Sequence, residues 1–184
     1  MVQFVKGNLL ESNCDYICHQ VNCQGKMNSG IAKSIREKWP VVYNNYMSKY
    51  DAVSDLAIKT YGGYENGLDV SEILLGDIQI VGLWDDYYAA DFHQSVINMF
   101  AQQHYGYDGR RYTSYDAFWN CLNLIKQTVP KGKTIGFPKK IGCDRGGANW
   151  PVILEMITEV LGGDYTVYIF CLEEECDGES IRHY

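Results

Sequence analysis

His19-Gln20-Val21-Asn22-Cys23-Gln24-Gly25-Lys26-Met27-Asn28-Ser29-Gly30-Ile31-Ala32 leads from a strand through a loop into a helix. Tyr16 to Val21 is an apolar run of strand length, and Ile31 to Trp39 places Ile31 and Ile35 on one helical face. Asn22 to Gly30 between them is small and polar. A second stretch repeats the arrangement. Lys133 to Phe137 reads as a strand ending at Pro138, and Ile141-Gly142-Cys143-Asp144-Arg145-Gly146-Gly147-Ala148 reads as a Gly-rich loop. The following helix runs to Leu161, with Asn149 as its N-cap and Pro151 in its first turn. Glycine lets backbone approach a phosphate closely and take positive φ, and a helix N-terminus adds partial positive charge. A Gly-rich turn on its own is a common connector; two of them, each between a strand and a helix, suggest a cradle for a pyrophosphate. Neither loop follows the GxGxxG or GxxxxGK[ST] spacing.

The remaining chain alternates strands and helices. Val2, Phe4 and Val5 form a short opening strand, and Asp77 to Leu83, Gln94 to Ala101 and Tyr165 to Cys171 read as strands. Pro40 interrupts the first helix, and Val41 to Tyr50 continues as a second helical segment. Ser114 to Val129 is a helix with Phe118, Leu122, Ile125 and Val129 at helical spacing, and Thr113 with Asp116 resembles a capping box. Asp51 to Glu72 carries no clean period and reads as an insertion of loops and short elements. From Glu173 the tail is acidic and reads as a solvated end. This order predicts an α/β fold around a mixed sheet: one domain over 1–172, with an insertion at about 51–72, and a C-terminal tail over 173–184.

Composition narrows the partners. A formal net charge of −7 opposes broad binding to a nucleic-acid polymer, but leaves a small phosphate ligand open, since backbone N–H groups hold phosphate without Lys or Arg. No apolar run is long enough for a membrane span, and no basic stretch followed by an apolar one opens the chain. The seven cysteines are odd in number and include no CxxC pair. Cys18, Cys121, Cys143 and Cys171 lie in apolar patterns. Reduced thiols in a cytoplasmic protein are the expectation, with no metal site and no cofactor.

Motif by motif, the sequence resembles the macro domain family. Val5-Lys6-Gly7-Asn8-Leu9 is similar to its opening motif, His19 to Ala32 to its first ligand loop, and Phe137-Pro138 with Ile141 to Trp150 to its second. Asn98-Met99-Phe100-Ala101-Gln102 and Tyr105-Gly106 resemble the subgroup that processes ADP-ribose 1″-phosphate. The likeness covers most of the chain outside Asp51 to Glu72 and the tail. It implies a three-layer α/β/α fold with a central mixed sheet, and ADP-ribose or its 1″-phosphate as the small-molecule ligand. Adenine would lie by Gly7, Asn8 and Leu9, with Asn8 in place of the family's acid. Asn22 would face the distal ribose, next to Gln20 and Gln24. Gly25, Lys26, Met27, Ser29, Gly30 and Ile31 would wrap that ribose and one phosphate. Gly142, Cys143, Asp144, Arg145, Gly146 and Gly147 would hold the pyrophosphate, flanked by Pro138 and Ile141. Gln102 and Tyr105 would line the ligand. The family's usual glycine at position 28 is Asn28, which tolerates left-handed backbone.

For chemistry, the resemblance implies metal-independent hydrolysis of ADP-ribose 1″-phosphate to ADP-ribose and phosphate, with Asp144, His19 and Asn22 as candidate catalytic residues. Each has a plainer alternative. His19 serves as acid or base, or is a strand histidine with a satisfied hydrogen bond. Asp144 activates water, or pairs with Arg145 or caps the loop. Arg145 reaches a terminal phosphate, or faces solvent. Two other functions stay open: a non-catalytic ADP-ribose reader, and a hydrolase removing ADP-ribose from macromolecules. Relatives that do the latter on carboxylates use a Lys and an Asp where this chain has Gln102 and Gly146, which weighs against that route.

Overall fold

The computed structural model describes residues 1–61, 70–83, 94–172 and 181–183. Its strands are β1 (Val2–Lys6), β2 (Tyr16–Asn22), β3 (Ile78–Leu83), β4 (Gln94–Gln102), β5 (Thr134–Pro138), β6 (Thr166–Cys171) and β7 (Ile181–His183). Its helices are α1 (Gly30–Lys38), α2 (Pro40–Tyr61), α3 (Val70–Leu74), α4 (Tyr115–Thr128) and α5 (Trp150–Leu161). The strands form one sheet in the order β3-β4-β2-β5-β6-β1-β7. β3 runs antiparallel to β4 and the other pairings are parallel, so the sheet is mixed.

Every residue of β2 is buried, because helices cover both faces of the sheet. Cys18, Phe118, Leu122, Ile153 and Ile157 join β2 to α4 and α5 on one face. On the other, Ile17 meets Ile35 and Val42, while Val21 meets Tyr46 and Phe100 beneath α2. This is the expected three-layer arrangement. β2 and β5 are parallel neighbours, so the two Gly-rich loops leave the sheet side by side at its carboxyl edge, where open α/β sheets bind ligands.

Four expectations need correction. Asp51 to Tyr61 is not loop: α2 continues through it to Tyr61. Tyr43, Tyr46, Met47, Tyr50 and Val53 recur at three- and four-residue steps and pack into one cluster, with Ala57 buried one turn further on. The buried stripe continues through Val53 and Ala57, but the outward-facing Leu56 and Ile58 blur its period. Val70–Leu74 is a short helix, and residues 62–69 of the expected insertion lie outside those described. The tail is not only a solvated end, since Ile181–His183 pairs parallel with β1; residues 173–180 lie outside the description. Ser114, not Thr113, caps α4, its side chain accepting from the Ala117 N–H at 3.2 Å, while Thr113 turns into the interior. Cys171 takes part in a disulfide, against the reduced-thiol reading; Cys14, Cys18, Cys23, Cys121 and Cys143 form no disulfide. Among the described residues, no helix is long and apolar enough to cross a membrane.

Candidate functional site

A cavity of about 470 Å³ opens at the carboxyl ends of β2, β4 and β5. A second, of about 360 Å³, adjoins it and shares Gly30, Ile31, Pro138 and Lys139 with it. Together they form one cleft across the sheet edge, from β1 and β6 at one end to β4 at the other.

The first loop is held from within and from α2. Asn22 Oδ1 accepts from the N–H of Gln24 at 2.9 Å and of Lys26 at 3.3 Å, while Nδ2 donates to the Lys26 carbonyl at 2.7 Å. Tyr46 donates its hydroxyl to the Asn22 carbonyl at 2.8 Å and accepts from the Lys26 N–H at 3.0 Å. The Asn22 amide is thus committed to shaping the loop. Ser29 is the N-cap of α1 but makes no side-chain cap bond. The first-turn N–H groups of Gly30, Ile31 and Ala32 have no intrahelical acceptor, and all three residues line the cavity. Position 28 does not take left-handed backbone, so the tolerance of Asn for that region is not used; Asn28 instead accepts from Arg36 Nη1 at 2.8 Å.

The second loop rests on a buried polar network. Gln102 donates Nε2 to the His104 carbonyl at 2.7 Å, and Thr113 donates Oγ1 to the Gly142 carbonyl at 2.9 Å. Those two bonds leave Gln102 Oε1 and Thr113 Oγ1 as acceptors, and Gln20 Nε2 donates to both, at 2.6 and 2.8 Å. The loop can lie on this network because it lacks side chains where it touches it. A Cβ on Gly142 would stand 2.6 Å from Gln20 Oε1, and one on Gly146 2.2 Å from Thr113 Oγ1. Gly142 also has φ +75°, left-handed backbone that favours glycine. The N–H groups of Cys143, Gly147 and Ala148 bond within the loop. Among the described residues, those of Gly142, Asp144, Arg145 and Gly146 have no acceptor in the protein. Two sets of free amides therefore border one cleft.

Of the residues anticipated from sequence, Gln20, Asn22, Lys26, Ser29, Gly30 and Ile31 line the larger cavity. So do Gln102, Tyr105, Pro138 and Ile141, and, from the second loop, Gly142, Asp144, Arg145 and Gly146. Gly7, Asn8 and Leu9 line the adjoining one. Asn8 caps the 3-10 turn Leu9–Glu11, accepting from the Leu10 N–H at 3.0 Å, and keeps one acceptor lone pair. Gln24, Gly25, Met27, Cys143 and Gly147 line neither cavity; Met27 is fully buried, and burial raises the Cys143 thiol to about 11.

His19 is not brought to the cleft. It points to the other face of β2, is fully buried, and sits 2.5 Å from Asn98 Oδ1 through Nε2. Asn98 in turn donates to Gln79 Oε1, so Oδ1 is its acceptor and His19 Nε2 carries the proton. Burial lowers the His19 pKa to about 4, against the opposing pull of the Asn98 bond. Period two along β2 carries the reason: if Gln20 and Asn22 face the cleft, His19 cannot. Asp144 is exposed at the cleft wall, its Oδ2 accepting from the Tyr107 hydroxyl at 3.1 Å. Arg145 lies over the rings of Tyr105 and Tyr107 rather than pairing with Asp144.

Sequence reasoning missed Lys139, Lys140, Val21 and Ala32 in the larger cavity, and Phe170 and Leu172 in the adjoining one. Lys140 has φ 59°, a left-handed position that nothing in its residue type announces. Phe170 lies near the end of β6 and Leu172 just beyond it, remote in sequence from the first loop, and only the sheet order brings them in. Among the described residues, no group of acidic, His or Cys side chains is arranged to hold a metal.

The structure resembles solved macrodomains. The macrodomain of Thermus aquaticus DarG superposes with a TM-score of 0.66 at 19% identity, covering 93% of this chain and 98% of that one. A Bacteroides thetaiotaomicron protein gives 0.70 at 21% identity, over 92% of this chain and 99% of its own. Thermosipho africanus DarTG, in complex with ADP-ribose, gives 0.65 at 17% identity, over 94% of this chain and 42% of its own. No family model matches the sequence. No curated protein matches it either. The likenesses show the fold, which is that of a macrodomain.

Proposed function

We propose that this chain, a macrodomain in fold, binds ADP-ribose in the cleft across its sheet edge. One observation carries the reading: the amides of Gly30, Ile31 and Ala32 and those of Gly142, Asp144, Arg145 and Gly146 border the same cleft with no acceptor of their own. Such amides suit a diphosphate. The side chains agree, since Lys26, Lys139, Lys140 and Arg145 line the larger cavity against Asp144, in a chain of net charge −7. Adenine fits the adjoining cavity, where Phe170 and Leu172 offer apolar surface and Asn8 Oδ1 keeps a lone pair for the amino group. The distal ribose then falls toward Asn22, Gln102 and Asp144.

Calorimetry tests this. ADP-ribose should bind in the micromolar range, about −8 kcal/mol, and AMP, which lacks the diphosphate, much more weakly. An absence of heat with millimolar ADP-ribose removes the reading.

A second reading is favoured by Asp144, a carboxylate on the cleft wall that pairs with no cation among the described residues and that Tyr107 holds. It is the hydrolysis of ADP-ribose 1″-phosphate to ADP-ribose and phosphate, with Asp144 accepting a proton from the attacking water and free amides meeting the charge on the phosphoryl oxygens. Phosphate release from that compound tests it. A lysine-based removal of ADP-ribose from protein carboxylates has no support here, since Gln102 is tied to Gln20 and the His104 carbonyl.

A further inference from the structure

We infer that Arg145 is a specificity-determining residue, which reads an additional phosphate carried on the distal pentose of the bound nucleotide. The inference rests on the ADP-ribose-binding reading and specifies one end of that site.

The Arg145 guanidinium carbon lies 5.2 Å from the ring centroid of Tyr107 and 5.9 Å from that of Tyr105. Aromatic contact fixes the guanidinium plane while consuming none of its N–H donors. Asp144 is adjacent in sequence and would be the obvious partner, but its carboxylate is turned to the Tyr107 hydroxyl. Among the described residues Arg145 has no ion-pair or hydrogen-bond partner through its side chain, and its Nε is buried and unsatisfied. A buried donor without an acceptor is unfavourable, and an anion in the cleft relieves it. By contrast, Arg36 donates to Asn28 and Arg110 pairs with Asp108.

The sheet order decides which anion. The adjoining cavity, with Asn8 and Phe170, belongs to the β1 and β6 end of the cleft. Tyr105 and Tyr107 follow β4, at the other end, and the Gly106 N–H ties their segment to the Arg145 carbonyl at 3.3 Å. The Arg145 side chain is therefore drawn away from the nucleoside, while its own N–H remains with the amides that suit the diphosphate. Lys26, exposed in the loop after β2 and also without a carboxylate partner among the described residues, adds a second cation to the larger cavity. A fixed planar fork with a mobile ammonium in the same cavity suits a phosphomonoester dianion.

The test titrates ADP-ribose and ADP-ribose 1″-phosphate into the parent protein, Arg145→Gln and Arg145→Lys by calorimetry, assaying phosphate afterwards so that any consumed ligand is counted. The parent should hold the 1″-phosphate about tenfold more tightly, since one charge-assisted bidentate contact is added. Arg145→Gln should bring the two ligands within about twofold of each other, by weakening the 1″-phosphate far more than ADP-ribose. Arg145→Lys keeps the charge without the fork, so it should retain part of the preference, and it serves if the Gln variant does not fold. A preference equal in parent and variants overturns the inference. So does a loss of ADP-ribose affinity in step with that of the 1″-phosphate, which would assign Arg145 to the diphosphate. If both ligands bind the parent equally, the inference alone fails; if neither binds, the ADP-ribose reading fails and this one with it.

Discussion

The Tyr46 hydroxyl stands 2.8 Å from the carbonyl oxygen of Asn22, and 3.0 Å from the Lys26 nitrogen that it also serves. A helix residue thus pins both ends of the turn that precedes α1, and the free amides of that helix start depend on where the turn delivers them. Tyr46 is fully buried, and its ring stacks on Phe100 at 5.7 Å. Tyr46→Phe keeps the ring and removes only the hydroxyl. The change should destabilise the fold by about 1–3 kcal/mol, because it orphans buried backbone groups, and it should weaken ADP-ribose binding. Urea unfolding and calorimetry on the same variant measure both. Unchanged values would mean that Asn22 holds the turn unaided.

Gly146 is constrained by the protein's own interior, not only by space for a ligand. A Cβ there would meet Thr113 Oγ1 at 2.2 Å and the Gly142 carbonyl at 2.4 Å, both parts of the network that supports the loop. Gly146→Ala should therefore lower stability by about 1–3 kcal/mol as overpacking does, and lose binding because the loop is displaced. The urea midpoint decides: an alanine variant as stable as the parent contradicts the packed arrangement of Thr113 under Gly146.

Both loops were legible in the sequence because their glycines mark places where backbone must lie against something. What that something is was not legible. The support under Gly142 and Gly146 comes from Gln20, Gln102 and Thr113, three polar residues far apart in sequence, which become one network only when β2 and β4 pair. Thr113 reads naturally as a helix cap, and only the register of Ser114 with Ala117 removes it from that role. His19 reads as a catalytic group because it precedes the loop, yet strand alternation already sets it on the face opposite Gln20. The second half of α2 was hidden because only Val53 and Ala57 continue its buried stripe, while Leu56 and Ile58 face outward and blur the helical period.

His19 should give the fold an acid sensitivity unrelated to the cleft. Its folded pKa of about 4 lies below the ordinary 6.5, because burial disfavours the imidazolium. The unfolded chain therefore binds the proton first as pH falls. The stabilisation is full above about pH 6.5 and is lost between there and pH 4, amounting to roughly 3 kcal/mol. Asp164 is held below its usual value by the Lys131 hydrogen bond, then that of Lys126, and its contribution is lost only at lower pH. Urea midpoints from pH 7 to pH 4 should fall in the parent, and fall less in His19→Gln. Parallel slopes would show that His19 is not the group titrating.

Asp144 should affect turnover and not affinity. Its carboxylate borders a cleft otherwise rich in N–H donors and cations, so it opposes an anionic ligand in the ground state. Nothing in the loop needs it structurally, since its backbone oxygen, not its side chain, accepts from the Gly147 N–H at 3.0 Å. The side chain's bond is to Tyr107, a residue 73% exposed, which steadies the carboxylate without burying it. A steadied carboxylate on the wall of the cleft suits general-base work on water, worth roughly a hundredfold to ten-thousandfold in rate. Asp144→Asn keeps the shape and removes the base. It should cut phosphate release from ADP-ribose 1″-phosphate by that order, and leave ADP-ribose binding equal or slightly tighter. Tyr107→Phe frees the carboxylate without removing it, so its loss of rate should be smaller, within about tenfold, the equivalent of one hydrogen bond of roughly 1 kcal/mol. If the protein releases no phosphate at all, the hydrolytic reading fails and the binding reading stands on calorimetry alone. If it does, and Asp144→Asn releases phosphate at the parent rate, Asp144 is not the base; with His19 on the far face of β2 and Asn22 tied into its own turn, the rate would then rest on the free amides and cations of the cleft stabilising charge on the phosphoryl oxygens.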